Sequence, residues 1–292
     1  MSVFEAIEAR ADRCCADPDP APGLRAFAVV HSFQQLVQAV GEIHAPLVTI
    51  LCGAAVLLSW RRARLAMGLL AVAGLLSCIS RFPVTANHVY LGALTSIIVL
   101  VLDPGRQAHQ RITRAHLCAL PLVALAWGGV TKLLHGSWFQ GQAMSALFVS
   151  RVDIRATLSA FMTTDDADRL ARLSFADGAG PFVLLGPLIL AANAMWATEL
   201  VLPFALVLWR RLASRAWWLL SGTVVGIQLV AHEWTFAFLL LNLASLMAPS
   251  RAAWRMRALL VAGLVALGAA QLGLVHPPGW FMPTVFRTVA TP

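Results

Sequence analysis

Charged residues are scarce in this chain, and lysine occurs only once. Asp, Glu, Lys and Arg together form 12% of the 292 residues, whereas 59% are hydrophobic and the mean hydropathy is +0.74. A soluble domain carries about twice this fraction of charged residues. The composition excludes an ordinary soluble protein and predicts an all-α, polytopic membrane protein built as a bundle of helices.

Cysteine is sparse as well, and its positions follow no functional spacing. The five cysteines are Cys14, Cys15, Cys52, Cys78 and Cys118. They form neither a metal-ligand pattern nor a disulfide framework, so no metal is expected. The formal charge of +8 is divided among short groups between apolar runs. That distribution is typical of loops beside a lipid bilayer and argues against a nucleic-acid partner.

Nine apolar runs follow one another along the sequence. They lie at about 24–43, 45–60, 65–81, 88–103, 115–134, 182–209, 216–232, 234–249 and 258–275. Runs of this length predict eight or nine transmembrane helices. The run 182–209 contains Pro187 and Pro203, so a kinked or partly re-entrant entry is expected there.

Arginines separate alternate runs in groups of three. The groups are Arg61, Arg62 and Arg64; Arg106, Arg111 and Arg114; Arg210, Arg211 and Arg215; and Arg251, Arg255 and Arg257. Basic residues mark cytoplasmic loops, so these short loops are predicted to be cytoplasmic in a protein of the cell membrane. Residues 216–249 are interpreted as two helices with a break near His232, because one long helix would place two arginine loops on opposite sides.

Three regions are predicted from this pattern. Residues 1–22 form an amphipathic and Pro-rich cytoplasmic segment, 23–276 the transmembrane domain, and 277–292 an extracytoplasmic tail. The segment 136–181 is too long for a passive connection. We expect it to be an extracytoplasmic loop, with a short helix after Thr163, that caps the outer mouth of the bundle.

The first run carries a polar stripe. His31, Gln34 or Gln35, Gln38 and Glu42 recur at three- and four-residue spacing and therefore share one helix face. A polar stripe inside a bilayer must face protein or water. Either this helix packs the stripe into the bundle, which is the favoured interpretation, or it lies in the plane of the interface.

Lys132 lies near the end of the run 115–134. A lysine at a helix end can extend its amine to the lipid headgroups, which makes it an interface anchor. A lysine removed from water can instead lose its proton and act as a base, which an arginine cannot do. The spacing alone leaves both interpretations open.

Three more ionisable residues lie in or at the ends of apolar runs. His88 and His232 are placed at the outer side, where each is either an interfacial or turn-capping histidine or part of a site. Glu199 lies deeper, and a carboxylate there costs on the order of 2 to 3 kcal/mol unless it is paired or protonated. We therefore expect a specific partner for Glu199. We also expect Lys132, His88 and His232 to cluster in the outer half of the membrane, with Glu199 beneath them.

Four short motifs resemble one known family in their order along the chain. They are Asn87-His88-Val-Tyr90-Leu91; Gly129-Val-Thr-Lys132-Leu133 with Trp138 and Gly141; Thr198-Glu199-Leu200; and His232 leading into Phe238–Met247. Over residues 24–255 the sequence resembles the HTTM (horizontally transferred transmembrane) proteins and the membrane domain of vitamin K-dependent gamma-carboxylase.

The resemblance implies an enzyme that acts on a reduced, vitamin K-like quinone. When the family's motifs are matched to this sequence, Lys132 corresponds to the base and His88 to the histidine beside the quinone pocket. The other catalytic candidates are Glu199 and His232. The cofactor-binding candidates are Asn87, Tyr90, Trp127 and Trp138. A peptide or protein substrate at the extracytoplasmic face also follows from the resemblance.

The second hypothesis is a membrane partner without catalytic activity. The HTTM group is similar to DoxX-like membrane subunits and to a factor that matures a secreted peptide. Thr131 also stands where the carboxylase has a second lysine. In this interpretation the ionisable residues hold helices together, and 136–181 is the docking surface.

Overall fold

The computed structural model describes residues 20–41, 46–81, 87–136, 139, 154, 159, 163–165, 168, 186–231 and 233–275. Within these ranges there are helices and no strands, as the composition predicts. The helices are α1 (Pro20–Gly41), α2 (Pro46–Ser59), α3 (Ala63–Arg81), α4 (Asn87–Leu102), α5 (Gln107–His135), α6 (Gly186–Leu208), α7 (Arg210–Ala213), α8 (Ala216–Ala231), α9 (Trp234–Ala244) and α10 (Ser250–Gln271).

Four helices of the described ranges are long and apolar enough to cross a membrane. These stretches are Ala63–Ser80, His109–His135, Ile189–Leu208 and Ser250–Gln271. The shorter helices α2, α4, α8 and α9 are apolar too. The chain is therefore compatible with a membrane-embedded protein, while eight or nine spans and the orientation of the termini stay predictions.

The break near His232 is present. α8 ends at Ala231 and α9 begins at Trp234, and the Gln228 side-chain oxygen accepts a hydrogen bond from the Glu233 N–H at 2.7 Å. His232 itself lies outside the described residues. α6 is continuous from Gly186 to Leu208 with Pro203 inside it, and its expected re-entrant entry lies outside the described residues.

The chain divides into two compact units. The first comprises Met1–Pro121, Trp209–Ser221 and Trp234–His276, and the second comprises Leu122–Leu208, Gly222–Glu233 and Pro277–Pro292. In the first unit, α1 contacts α2, α3, α9 and α10, and α3 packs against α2 and α4. α1 is therefore the central helix of this unit.

The polar stripe of α1 faces protein. His31, Gln34 and Gln38 are buried. His31 Nε2 lies 3.0 Å from Ser96 Oγ on α4, and the Gln34 side-chain amide donates to the Thr235 carbonyl on α9 at 3.0 Å. Buried polar groups need such partners, so the favoured packing of this helix into the bundle is confirmed. Glu42 lies outside the described residues.

Little of the predicted outer loop 136–181 is described. Thr164 and Asp165 are helical, directly after Thr163 where the helix start is expected. Asp168, the first residue of the amphipathic helix predicted to follow them, is helical as well. The rest of that helix and the terminal segments 1–19 and 276–292 lie outside the described residues.

Candidate functional site

The site in the second unit is built on a close approach between α5 and α6. A Cβ atom added to Gly129 would lie 2.6 Å from the Leu200 backbone nitrogen and 2.8 Å from its Cα atom. A Cβ on Gly128 would lie 3.4 Å from Glu199 Oε2. Only glycine permits this spacing, because any larger residue at position 129 would overlap the backbone of α6.

Lys132 and Glu199 form an ion pair at this crossing. Lys132 lies one helical turn beyond Gly128 and Gly129, and its Nζ donates a hydrogen bond to Glu199 Oε2. The Lys132 side chain is 18% exposed and that of Glu199 only 6%. The pair is therefore largely removed from solvent, and it supplies the specific partner expected for Glu199.

The helix that carries Lys132 ends at a glycine. Gly136 follows the last residue of α5 with a φ of +67°, and its N–H donates to the Lys132 carbonyl at 3.1 Å. This is the left-handed helix end that glycine favours. The Thr131 hydroxyl donates to the Gly128 carbonyl at 2.9 Å. Lys132 thus occupies the last turn of a defined helix end.

On α6, Asn193 and Trp196 precede Glu199 by six and three residues and form a cluster with Phe139. Asn193 donates to the carbonyls of Phe139 at 3.0 Å and Ile189 at 2.8 Å, and its oxygen accepts from Trp196 Nε1 at 2.8 Å. The rings of Phe139 and Trp196 meet edge to face at 5.0 Å. Asn193 lies three residues before Trp196, and Trp196 three residues before Glu199, so each residue adjoins the next on the surface of α6.

Sequence reasoning missed Trp196 and Phe139 as neighbours of the site. The three-residue spacing of Asn193, Trp196 and Glu199 was a usable signal for a shared face. The contact with Phe139 had no such signal in the sequence. Phe139 is far from α6 along the chain, and no local pattern indicates which helix it contacts. This cluster ties Phe139, four residues beyond the end of α5, to the helix that carries Glu199.

The remaining predicted site residues are distributed over both units. Asn87 is the first residue of α4, His88 is half-buried and Tyr90 is 42% exposed, all in the first unit. Trp127 is 66% exposed on α5 in the second unit. The structure brings Lys132 and Glu199 together, and it establishes no grouping of either residue with His88.

Two predicted site residues, His232 and Trp138, lie outside the described residues. Within the ranges that the structure covers, no three His, Cys, Asp or Glu side chains are grouped closely enough to hold a metal ion. The described site brings an amine and a carboxyl group into hydrogen-bonding contact, a pair between which a proton can pass.

Comparison with known proteins leaves the family unassigned: no protein-family model matches the sequence, and no match is found among curated proteins or solved structures. What the fold and site define is an α-helical protein with several apolar helices compatible with a membrane. One of its crossings holds a lysine–glutamate pair in which Glu199 is buried and Lys132 is partly buried.

Proposed function

We propose that the chain is a multi-pass membrane protein of the HTTM type whose Lys132–Glu199 pair handles protons for a reduced quinone. The observation that carries the proposal is the contact of the single lysine of the sequence with a buried carboxylate. The bound quinol would supply the reducing equivalents and an acidic hydroxyl group. The motif resemblance to the gamma-carboxylase membrane domain supports the same chemistry.

The two side chains have separate roles in this mechanism. Glu199 accepts a proton from the Lys132 ammonium group, which leaves a neutral amine beside a neutral carboxyl group. In apolar surroundings the neutral pair is disfavoured far less than in water, because separated charges lose their hydration there. The Lys132 amine then accepts the proton of the quinol hydroxyl, which leaves a quinol anion beside the Lys132 ammonium group. Glu199 releases its own proton to water and can then accept the next proton from Lys132, so Glu199 is the positioning residue that returns Lys132 to the neutral state.

Activity of single variants tests the proposal. In liposomes loaded with a reduced vitamin K-like quinone, Lys132→Ala and Lys132→Arg should slow oxygen-dependent quinol oxidation by about 10²- to 10⁴-fold, the usual contribution of a general base. Glu233→Gln removes an exposed carboxylate of the same unit and should keep the wild-type rate. Full activity of Lys132→Arg at an equal membrane level would contradict the proposal.

A membrane partner without catalytic activity is the second candidate. The tight contact of Gly129 with Leu200 favours it, since a small residue at a crossing is typical of the close packing that joins membrane helices. In that case the ion pair is a packing element. Co-purification of a stable peptide or protein, with no quinone in a lipid extract examined by mass spectrometry, would select this function over the first.

A further inference from the structure

A second site lies in the first unit, at helix ends that carry arginines. A cavity of about 630 Å³ opens between the start of α1, the start of α10 and the end of α2. Its described lining includes the basic residues Arg25, Arg114 and Arg257 and the aromatic residues Trp60 and Trp254, and none of the described lining residues is acidic.

Arg257 is the residue that most directly requires an anion. It is only 6% exposed. Its Nε donates to Ser245 Oγ at 3.0 Å, and Ser245 Oγ in turn donates to the Asn242 carbonyl at 2.6 Å. The Nη2 atom is buried and has no hydrogen-bond partner among the described residues. A buried guanidinium nitrogen without an acceptor is costly, so an acceptor is expected in the cavity.

Two helix starts add positive potential at the same place. The first turn of α1 lines the cavity, and a Cβ on Gly23 would lie 3.9 Å from Arg257 Nη2. The first turn of α10 lines it too, and its N-cap residue Pro249 provides no side-chain cap. The start of a helix carries a partial positive charge that attracts phosphate. Because Pro20 and Pro22 of α1 have no N–H to donate, α1 contributes this charge, and the first turn of α10 contributes N–H donors as well.

The surrounding unit offers little negative charge to this cavity. Asp103 is the only acidic residue within the described part of the first unit. Its carboxylate binds Arg64 at 3.2 Å and lies 3.5 Å from Arg106 Nε, and it does not line the cavity. The observations therefore favour an anion from outside the described chain.

The aromatic residues indicate where that anion comes from. Trp60 is 74% exposed and Trp254 is 70% exposed, and both line the cavity. α10 begins here and is one of the helices long and apolar enough to cross a membrane. Tryptophan at the end of such a helix is typical of the headgroup level of a bilayer.

We propose that this cavity binds the phosphate group of an anionic phospholipid, with Arg257, Arg114 and Arg25 and the first turn of α10 as the phosphate-binding groups. The acyl chains extend along the exposed apolar surface beside Trp60 and Trp254. The site is separate from the Lys132–Glu199 pair and does not depend on the function proposed for it.

Lipid-dependent thermal unfolding of the full chain in detergent tests the proposal. Phosphatidylglycerol should raise the melting temperature saturably, whereas phosphatidylcholine should leave it unchanged. Inorganic phosphate, compared with chloride at equal ionic strength, separates the two sources of phosphate. A shift with inorganic phosphate but none with phosphatidylglycerol would overturn the lipid assignment, and no shift with either probe would overturn the site.

Matched arginine variants locate the effect. Arg257→Gln should weaken phosphatidylglycerol binding, measured by native mass spectrometry, by about tenfold, since a charge-assisted hydrogen bond is lost. Arg255→Gln makes the same charge change at an exposed position of α10 that does not line the cavity, and it should bind as wild type. Equal loss in both variants would overturn the site in favour of a general basic surface.

Two further variants keep the test decisive. Arg25 lines the cavity but is exposed, so Arg25→Gln should weaken binding without affecting folding even where Arg257→Gln does not fold. Asp17 and Asp19 precede α1 in the sequence. Binding that appears only after Asp17→Asn and Asp19→Asn would assign the cavity to the chain's own carboxylates and would overturn the proposal.

Discussion

Gly129 lies against the backbone of Leu200, and this contact places Glu199 beside Lys132. The two charged residues are 67 positions apart in the sequence, so their pairing depends on the crossing of α5 with α6. The crossing in turn depends on the absence of a side chain at position 129. A backbone feature and an electrostatic feature of the site are thus coupled.

The first prediction concerns Gly129. Gly129→Ala should destabilise the protein by about 1 to 3 kcal/mol, the usual range for overpacking, because its Cβ would overlap the α6 backbone. Gly226→Ala is the matched control, since a Cβ there meets nothing within 4 Å. Alanine is the better helix former, so this control should be neutral or stabilising. If the two variants had equal unfolding temperatures in detergent, that result would contradict the prediction.

The second prediction concerns the ion pair. Lys132→Met leaves the buried Glu199 carboxylate without its partner and should destabilise by about 3 kcal/mol or more. The double variant Lys132→Met/Glu199→Met should regain most of that loss, because two apolar side chains need no charge compensation. A double-mutant cycle of melting temperatures measures the coupling. Additive effects of the two single changes would show that the residues do not interact.

The same double variant separates the two proposed functions. A packing pair is replaceable, so the double variant of a membrane partner should fold and keep its function. A proton-handling pair is not replaceable, so the double variant of an enzyme should fold and remain inactive. Folding is followed by size-exclusion chromatography in detergent, and activity by quinol oxidation in liposomes.

A third prediction concerns the polar stripe of α1. His31 is fully buried, bonds Ser96 and stacks on Phe27 at 5.7 Å. His31→Ala leaves a cavity and removes the hydrogen bond, so it should destabilise by about 2 to 4 kcal/mol. His135→Ala, at an exposed position, should change the melting temperature little. A His31→Ala protein as stable as the His135→Ala control would argue against this packing.

A fourth prediction concerns Asn193. Asn193→Leu removes the donor to the Phe139 carbonyl and the acceptor of the Trp196 indole, and should cost about 1 to 3 kcal/mol. Trp196→Phe removes the indole N–H and part of the ring area but keeps an aromatic ring against Phe139 and leaves the Asn193 bonds to Phe139 and Ile189 in place, so it should cost less. Melting temperatures in detergent rank the two variants, and the reverse order would contradict the hydrogen-bond network.

Helix positions were largely predictable from the sequence. The apolar runs at 65–81 and 216–232 correspond to α3 and α8 within a few residues, and the arginine pattern correctly separated α8 from α9. Hydrophobic runs and basic loops are properties of consecutive residues, and each helix forms its backbone hydrogen bonds within itself. Local composition is therefore sufficient for this level of structure.

The sequence also predicted that Glu199 needs a partner. The free energy of placing a carboxylate in a membrane depends only on the group and on the apolar run around it, and both can be read from consecutive residues. The identity of the partner was decided by the tertiary structure, since Lys132 reaches Glu199 only where Gly129 lets two distant helices touch. The packed stripe of α1 and the arginine-lined cavity were decided in the same way. By itself, the sequence determined an all-helical, membrane-compatible chain with one lysine and a costly carboxylate, and the folded packing decided that these two residues meet.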